Sequence, residues 1–295
     1  MSIERHAPDW LVALHEGAGR APHDGVHTNL SGLLQGWREW PDGMDFLSPD
    51  SPNYAWKALM TRMYVRRIEE ELGSLPGGKV LDLACGGGRF SALLSEQGAA
   101  VHGLDATLPS LEVAQNHLAG RDARLVWGDV GELERLGREV LSPPYDAAFA
   151  IELLCYLPDP AAVLRALRGL LVPGAPVVLS VEAWPGALLT DGGDLDASTA
   201  SEVLRTHTLH EEGGRWVHAF EKRELEDLLR ATGFEVLGVH GTHYVFDGPL
   251  AAFADPSKLD GGAYDEALLE LESTLRSDPS LGALPRAWLA VAKAV

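Results

Sequence analysis

Three acidic residues and a run of glycines carry the clearest chemical signal in the chain. Asp82 ends an apolar stretch and is followed by residues 84–88 (Ala-Cys-Gly-Gly-Gly), and Asp105 and Asp129 follow the next two apolar stretches. Glycines let the backbone approach a ligand closely, and the N-terminus of a following helix favours negative charge. An acidic residue after the second strand accepts hydrogen bonds from ribose hydroxyls, and one after the third is placed to meet an adenine amino group. Together these residues predict a nucleoside ligand, although each Asp alone also fits a helix cap.

The elements that would position these residues alternate along the chain from residue 57 onward. Apolar runs predict strands at 79–83, 100–104, 124–127, 147–151 and 177–181, and then at 234–239 and 287–295. Amphipathic runs predict helices at 57–72, 90–97, 110–118, 132–139, 159–171, 221–231 and 264–275. This order requires a parallel sheet with helices on both faces. The expected fold class is therefore α/β, a doubly wound and mostly parallel sheet.

Composition and charge argue against several classes of partner. The chain has 295 residues with 24 Lys and Arg against 43 Asp and Glu, so its formal charge is −19. A chain without a basic stripe gains little from binding phosphates, which argues against nucleic acid and against an anionic membrane surface. The two cysteines, Cys85 and Cys155, form neither a disulfide framework nor a zinc site. Because no signal-like or membrane-spanning stretch is evident, the expected location is the cytoplasm.

With these motifs, the chain resembles the class I, Rossmann-like S-adenosylmethionine-dependent methyltransferases over residues 57–295. The resemblance implies a seven-stranded sheet with helices on both faces, in which the last strand is antiparallel and lies beside the sixth. It also implies S-adenosylmethionine as cofactor, with Asp82 at the methionine moiety, Asp105 at the ribose and Asp129 at the adenine. The other implied cofactor contacts are Ala84, Cys85, Gly86, Gly88, Ala106, Val130, Ile151, Tyr54 and Arg62.

The loop departs from the family's GxGxG pattern at its first position, where this chain has Ala84. A nicotinamide-dependent dehydrogenase uses a similar strand–loop–helix turn and is the competing enzyme class. Against it, Asp82 would lie near pyrophosphate, and Ser91 stands where a GxGxxG motif has its third glycine. A methionine moiety carries an ammonium group, beside which a carboxylate is tolerated. The loop therefore favours the methyltransferase.

Residues 1–56 are interpreted as an accessory segment, or lid, and residues 57–295 as the methyltransferase domain. The first segment mixes aromatic residues with turn signals, which is typical of short helices that pack on another domain. Within the domain, residues 184–219 lack a clear period and are expected to form a substrate-binding insertion. We expect deletion of residues 1–55 to spare the fold and to weaken acceptor binding.

Methyl transfer from a sulfonium is an in-line displacement that depends mainly on orientation, so the sequence need not contain a catalytic base. The candidate bases are His210, His243 and His218, the last of which resembles a histidine in the substrate loop of family members. Each of them also fits a surface or structural histidine. Tyr156 is expected to shape the pocket rather than to transfer a proton. The spacing of His, Cys and carboxylates predicts no metal site.

The predicted function is transfer of a methyl group from S-adenosylmethionine to an oxygen, nitrogen or carbon atom of a small organic molecule. The type of family suggests secondary metabolism. Two alternatives stay open: a peptide or protein N-methyltransferase, which would need an open groove in place of the lid, and a non-catalytic partner protein with the same fold. The expected partner is a small-molecule acceptor rather than nucleic acid or membrane, and the sequence leaves a homodimer open.

Overall fold

A mixed sheet of eight strands organises the part of the chain that the computed structural model describes, residues 1–191, 197–210 and 215–295. The strands are β1 (Ile3–Arg5), β2 (Lys79–Leu83), β3 (Ala100–Asp105), β4 (Ala123–Trp127), β5 (Ala147–Ala150), β6 (Pro176–Glu182), β7 (Thr208–His210), β8 (Trp216–His218), β9 (Phe234–Thr242) and β10 (Ala287–Ala294). The sheet order is β1-β4-β3-β2-β5-β6-β10-β9, and β7 and β8 form a separate antiparallel pair. β10 runs antiparallel to β6 and β9, as expected for an inserted last strand.

Helices cover both faces of this sheet. They are α1 (Asp9–His15), α2 (Asp24–Glu39), α3 (Pro41–Met44), α4 (Tyr54–Leu72), α5 (Arg89–Glu96), α6 (Leu108–His117), α7 (Leu133–Glu139), α8 (Pro160–Leu170), α9 (Gly186–Asp191), α10 (Ala197–Thr206), α11 (Lys222–Ala231) and α12 (Ala263–Ser277). Local signals set their ends: Asp159 caps α8 by accepting the N–H of Ala162 at 2.9 Å, and Gly73 ends α4 at φ +78°. The α/β fold class is confirmed.

The sheet has eight strands rather than the expected seven because the N-terminal segment contributes β1. β1 pairs in parallel with β4, with Ile3 opposite Leu125. Leu11 and Leu14 of α1 pack in the same apolar cluster as Leu125. Each buried leucine contributes about 1.5–3 kcal/mol. Deleting residues 1–55 would remove a strand and uncover this cluster, which argues against the expectation that the truncated chain keeps its fold.

The carboxyl ends of the parallel strands meet at one edge of the sheet. β4, β3, β2, β5 and β6 run parallel to one another, and Asp82, Asp105 and Asp129 lie near the ends of the first three. Side chains of α4 and α5 pack on one face, and those of α7, α8 and α11 pack on the other. The sheet therefore brings together acidic residues that are more than 20 positions apart in the chain.

The predicted insertion at 184–219 contains α9, α10 and the β7–β8 hairpin. Its residues 192–196 and 211–214 lie outside the described residues. The described part of the hairpin packs against the short 3₁₀ turn Leu154–Tyr156, which follows β5. The insertion therefore reaches the edge of the sheet at which the acidic residues meet.

Candidate cofactor and acceptor site

The loop between β2 and α5, residues 84–88 (the glycine loop), has a backbone shape suited to close contact with a ligand. Its φ angles are +55° at Ala84, +54° at Gly86 and +88° at Gly88, in the left-handed region that glycine adopts without steric cost. A Cβ at Gly86 would meet no atom within 4 Å, whereas one at Gly88 would lie 3.1 Å from the Cβ of Ala114 on α6. The loop therefore packs on α6 at Gly88 and leaves open space at Gly86.

Asp105 ties the glycine loop to the end of β3. Its Oδ2 accepts the N–H of Gly86 at 2.8 Å, and its Oδ1 accepts the N–H of Thr107 at 2.7 Å. Burial raises the pKa of Asp105, and the two backbone donors oppose that rise. A carboxylate has about four acceptor positions, so each oxygen can still accept a hydroxyl proton. These oxygens, with the open space at Gly86, fit the ribose of S-adenosylmethionine.

Asp82 is buried beneath the glycine loop, where it links β2 to α5. Its Oδ2 accepts the Ser91 hydroxyl proton at 2.6 Å, and the side chain is only 2% exposed. Burial raises the pKa of Asp82 to about 7; Asp105 adds to the rise, while Ser91 and Arg89 oppose it. A carboxylate so poorly compensated would gain from a nearby ammonium group, which is what the methionine moiety carries. The residue thus fits the role that the resemblance implies.

Asp129 acts as a cap in this structure. Its Oδ1 accepts the N–H of Gly131 at 2.9 Å at the start of the 3₁₀ turn Val130–Glu132. Burial raises the pKa of Asp129. Nearby, the carbonyl oxygen of Ala106 accepts the indole proton of Trp127 at 2.9 Å. The cap uses Oδ1, and the role of Asp129 at the adenine stays a prediction.

Cys85 and Ile151 lie at the predicted site as packing residues. A Cβ at Gly103 would come within 2.8 Å of the Cys85 sulfur, so this side chain fills the space under the glycine loop. Burial raises the pKa of the Cys85 thiol well above its usual range, and the Asp105 and Asp82 carboxylates add to the rise. Ile151, at the end of β5, packs in one cluster with Phe90. The contact of these two residues with the cofactor stays a prediction.

The structure does not bring Tyr54 and Arg62 into this group. Tyr54 begins α4 and is 37% exposed. The Arg62 guanidinium pairs with Glu266 and lies 3.7 Å from Asp265, both on α12. These contacts join α4 to α12, and the cofactor role of the two residues stays a prediction.

Three ion pairs lie beside the glycine loop at the carboxyl ends of β5, β6 and β9, and we call this region the charged cleft. They are Arg89–Glu152 at 3.5 Å, Arg286–Glu182 at 3.3 Å and Lys57–Asp247 at 3.8 Å. Arg89 directly follows Gly88, so the cleft begins where the glycine loop ends. Glu152 and Glu182 follow predicted strands. A search for acidic residues after predicted strands, which picked out the three aspartates, could therefore have found them too. The cations carry no comparable local signal.

Backbone strain is concentrated in the charged cleft. Glu152, His243 and Asp247 have φ angles of +55°, +62° and +57°. A left-handed conformation costs a non-glycine residue about 1–2 kcal/mol, and such residues cluster at sites where the surrounding structure holds them for function. Burial raises the pKa of Glu152, but the cations of Arg89 and Lys57 outweigh it and hold the value at about 2. Glu152 is therefore an anion at neutral pH, with a side chain that is 42% exposed.

The three candidate histidines occupy different surroundings. His210 is exposed on β7. His218, on β8, lies with Nε2 2.8 Å from the Glu224 carboxylate on α11. His243 follows β9, is 4% exposed and lies beside the charged cleft. Of the three, His243 is the one that the fold places among the charged groups at the strand ends.

The N-terminal segment and the insertion meet in a contact between Asn29 and Trp216. The Asn29 amide donates to the Trp216 carbonyl oxygen at 2.8 Å and accepts the Trp216 N–H at 2.7 Å. Both α2 and β8 pack on the turn that contains Tyr156, and the Arg215 guanidinium lies 5.5 Å from the centre of the Tyr156 ring. Two segments that are 187 residues apart thus close together over the end of β5.

Replacing Asn29 by alanine should open this contact without unfolding the protein. Losing a buried hydrogen bond so that one partner is left unsatisfied costs about 1–3 kcal/mol. The Trp216 amide should therefore exchange with deuterium at least about tenfold faster. Native-state hydrogen exchange measures this. Asn53→Ala is the matched control, because the Asn53 amide bonds the Gly43 carbonyl within the N-terminal segment. Unchanged protection of Trp216 would show that the contact does not hold the hairpin.

A cavity of about 610 Å³ lies at the outer edge of the sheet, away from the glycine loop. Its lining includes Trp184, Lys222, His240 and Arg276 around the end of β9. None of the lining residues belongs to the glycine loop or to the three acidic strand ends. This cavity is therefore separate from the candidate cofactor site.

Neither a metal cluster nor a membrane-spanning helix is present in residues 1–191, 197–210 and 215–295. Within these ranges, no three His, Cys, Asp or Glu side chains are grouped so that they could hold a metal ion. Across the same described ranges, every helix is too short or too polar to cross a bilayer.

The sheet order and the glycine loop with its acidic strand ends define a class I methyltransferase. A family model described as a methyltransferase domain matches residues 54–239, more than half of the chain. The chain therefore belongs to the S-adenosylmethionine-dependent methyltransferases, as the resemblance implied, and the dehydrogenase interpretation is set aside. S-adenosylmethionine is the cofactor of this family.

Curated relatives include O-methyltransferases named for ubiquinone biosynthesis. The protein from Bordetella avium is 33% identical over 183 residues, which cover 60% of this chain and 70% of that protein. The protein from Leptothrix cholodnii is 39% identical over 114 residues, 38% of this chain, and the chain spans about half (48%) of its length.

Solved structures share the fold at low identity. A 1,6-didemethyltoxoflavin-N1-methyltransferase of Burkholderia thailandensis has a TM-score of 0.56 and 19% identity, covering 93% of this chain and 91% of that one. The plantazolicin methyltransferase BamL has a TM-score of 0.52 and 12% identity, covering 97% and 99%. Both were solved with S-adenosylhomocysteine and a substrate or substrate analogue bound. At these identities the likeness supports the fold alone.

Proposed function

We propose that this protein transfers a methyl group from S-adenosylmethionine to a hydroxyl oxygen of a small organic molecule. The observation that carries the proposal is the continuity of two regions: Arg89, the residue after the glycine loop, pairs with Glu152 in the charged cleft. A cofactor on the glycine loop would place its reactive end beside the strand ends that carry the cleft. The O-methyltransferase relatives support oxygen as the acceptor atom.

S-adenosylmethionine supplies a methyl group on a sulfonium, which a nucleophile removes by in-line displacement. The protein's own residues hold and orient the cofactor. The Asp105 oxygens and the open space at Gly86 fit the ribose, and Asp82 fits the methionine ammonium. Correct orientation of two reactants can lower the barrier by about 7–11 kcal/mol.

The charged cleft and the contact between Asn29 and Trp216 support a small and uncharged acceptor. Each cation of the cleft has a carboxylate partner within 4 Å, so the charges are balanced within the protein. A charged acceptor would add an unbalanced charge to this group of paired charges. The contact of Asn29 with Trp216 joins the N-terminal segment to the insertion, where a peptide enzyme would need an open groove. Both features argue against a peptide or protein N-methyltransferase.

Two measurements on the purified full chain test the proposal. Calorimetric titration with S-adenosylmethionine and S-adenosylhomocysteine should give micromolar binding, about −8 kcal/mol. Incubation with methyl-labelled S-adenosylmethionine and matched panels of neutral phenols, amines and peptides should label the phenols. Binding without transfer to any panel would favour the non-catalytic partner protein, and labelling of peptides alone would favour the N-methyltransferase. No binding would contradict the proposal at its first step.

A further inference from the structure

We propose that His15 is a positioning residue for the cofactor: its ring holds the start of α6 next to Asp105, and through this contact the N-terminal segment sets the affinity for S-adenosylmethionine. This inference rests on the proposed function and deepens it, because it gives residues 1–56 a part in cofactor binding. Its basis is a pair of hydrogen bonds that the His15 ring makes, one within α1 and one to the backbone of α6.

The start of α6 depends on a hydrogen-bond acceptor from outside the helix. The first N–H groups of any helix have no partner within it. Among the described residues, the Thr107 side chain makes no cap hydrogen bond to α6, and Pro109 in the first turn has no N–H. The Leu108 N–H instead donates to Nε2 of His15 at 3.1 Å. A residue 93 positions away in the chain therefore takes the place of a local cap.

The two partners of the His15 ring determine its tautomer. Nδ1 lies 2.9 Å from the carbonyl oxygen of Leu11, one turn earlier in α1. A carbonyl oxygen can only accept, so Nδ1 carries the proton. A backbone N–H can only donate, so Nε2 is unprotonated where it meets Leu108. The arrangement therefore requires a neutral ring.

The surroundings of His15 favour this neutral ring at pH 7. Burial lowers the pKa of His15; the Leu11 carbonyl and the Asp105 carboxylate oppose the decrease, and the Arg38 guanidinium reinforces it. The charged groups on the neighbouring elements are Arg5 on β1, Arg38 on α2 and Asp105 at the end of β3. A protonated ring would direct a second N–H at the α6 amide and lose the hydrogen bond to it.

His15 contacts the short connection between Asp105 and α6 in two ways. One is the hydrogen bond to Leu108. The other passes through Trp127, whose ring meets the His15 ring edge-on with centres 4.9 Å apart and whose indole proton goes to the Ala106 carbonyl oxygen at 2.9 Å. Because the connection directly follows Asp105, these contacts hold the carboxylate that fits the ribose.

Three further contacts join the N-terminal segment to α6. They are Trp37–Ser110 at 2.8 Å, Met1–Gln115 at 2.6 Å and Asp45–His117 at 2.9 Å. His15 acts at the end of α6 that adjoins Asp105, whereas His117 is the last residue of the helix. Ten helical residues span about 15 Å, so the two histidines connect the same segment to opposite ends of one helix. His117 therefore offers a matched control for His15.

Calorimetric titration of full-length variants with S-adenosylmethionine and S-adenosylhomocysteine tests the effect on binding. His15→Phe keeps an aromatic ring beside Trp127 but removes the acceptor, so binding must order the start of α6. We expect both Kd values to rise about five- to tenfold. His15→Gln supplies an amide oxygen that can accept the Leu108 N–H, and it should stay within about twofold of wild type. His117→Phe should also stay within about twofold.

Measurements on the free protein keep the inference testable even if His15→Phe fails to fold. Long-range ¹H–¹⁵N spectra of the wild type at pH 7 should show His15 protonated at Nδ1 and unprotonated at Nε2. A ring that is protonated at Nε2, or charged at pH 7, would overturn the assignment. In folded His15→Phe, the Leu108 amide should exchange with deuterium at least about tenfold faster than in the wild type.

The outcomes separate this inference from the proposed function. If folded His15→Phe binds S-adenosylmethionine as tightly as the wild type, the positioning role fails and the methyltransferase proposal stands. The role also fails if His15→Gln loses as much affinity as His15→Phe, or if His117→Phe does, because the effect then does not depend on an acceptor at the start of α6. If the wild-type protein binds neither ligand, the proposed function fails first and this inference fails with it.

Discussion

Asp105→Ala is expected to weaken S-adenosylmethionine binding at least about 100-fold, or about 2.7 kcal/mol. Two effects combine. The ribose hydroxyls lose a charged acceptor, and hydrogen bonds to charged groups contribute about 1.5–3 kcal/mol each. In addition, the N–H groups of Gly86 and Thr107 lose their partner, so the glycine loop is no longer tied to β3. Calorimetric titration of wild type and variant measures the change.

Two further variants show whether the loss of S-adenosylmethionine affinity arises at the cofactor site. Asp122→Ala removes an exposed aspartate just before β4 and should leave binding within about twofold. Asp105→Asn keeps one acceptor oxygen but places an amide N–H against one of the two backbone donors, so it should fall between wild type and alanine. Binding by folded Asp105→Ala at wild-type strength would remove this residue from the site.

Asp82→Asn is expected to stabilise the free protein by about 2 kcal/mol at pH 8, and by much less at pH 4.5. Burial raises the pKa of Asp82 to about 7 in the folded protein, against about 3.9 in the unfolded chain. Between these values the folded protein holds a proton that the unfolded chain has lost. Its stability therefore decreases as pH rises from about 4 to about 7, with a limit of about 4 kcal/mol.

The expected stabilisation by Asp82→Asn is smaller than this limit, because the N–H protons of the new amide have no assigned acceptor at this buried position. Urea unfolding at pH 4.5 and pH 8 measures the difference. Glu272→Gln on α12 is a matched positive control, because burial also raises the pKa of Glu272 to about 7. Glu235→Gln, exposed on β9, is the negative control. A gain for Asp82→Asn that does not depend on pH would show that titration is not its cause.

The sequence by itself determined the α/β class, the strand that precedes the glycine loop, and Asp82, Asp105 and Asp129 as residues near three strand ends. These features are local: a strand, a loop and a helix start follow one another within about ten residues, and each carries its own apolar period or turn signal. The antiparallel β10 beside β9 also followed from the family resemblance.

Only the tertiary structure decided the groupings that depend on distant residues. The charged cleft joins Lys57, Arg89, Glu152 and Arg286, which the strand order and the packing of α4 and α5 on the sheet bring together. The pairing of β1 with β4 and the contact of Asn29 with Trp216 leave no local mark, because each depends on a partner more than 100 positions away. The lowered pKa of His243 likewise depends on burial by distant elements and on the nearby cations of Lys57, Arg286 and Arg89. A residue type and its neighbours in sequence do not specify these long-range contacts, because each depends on which distant elements pack together.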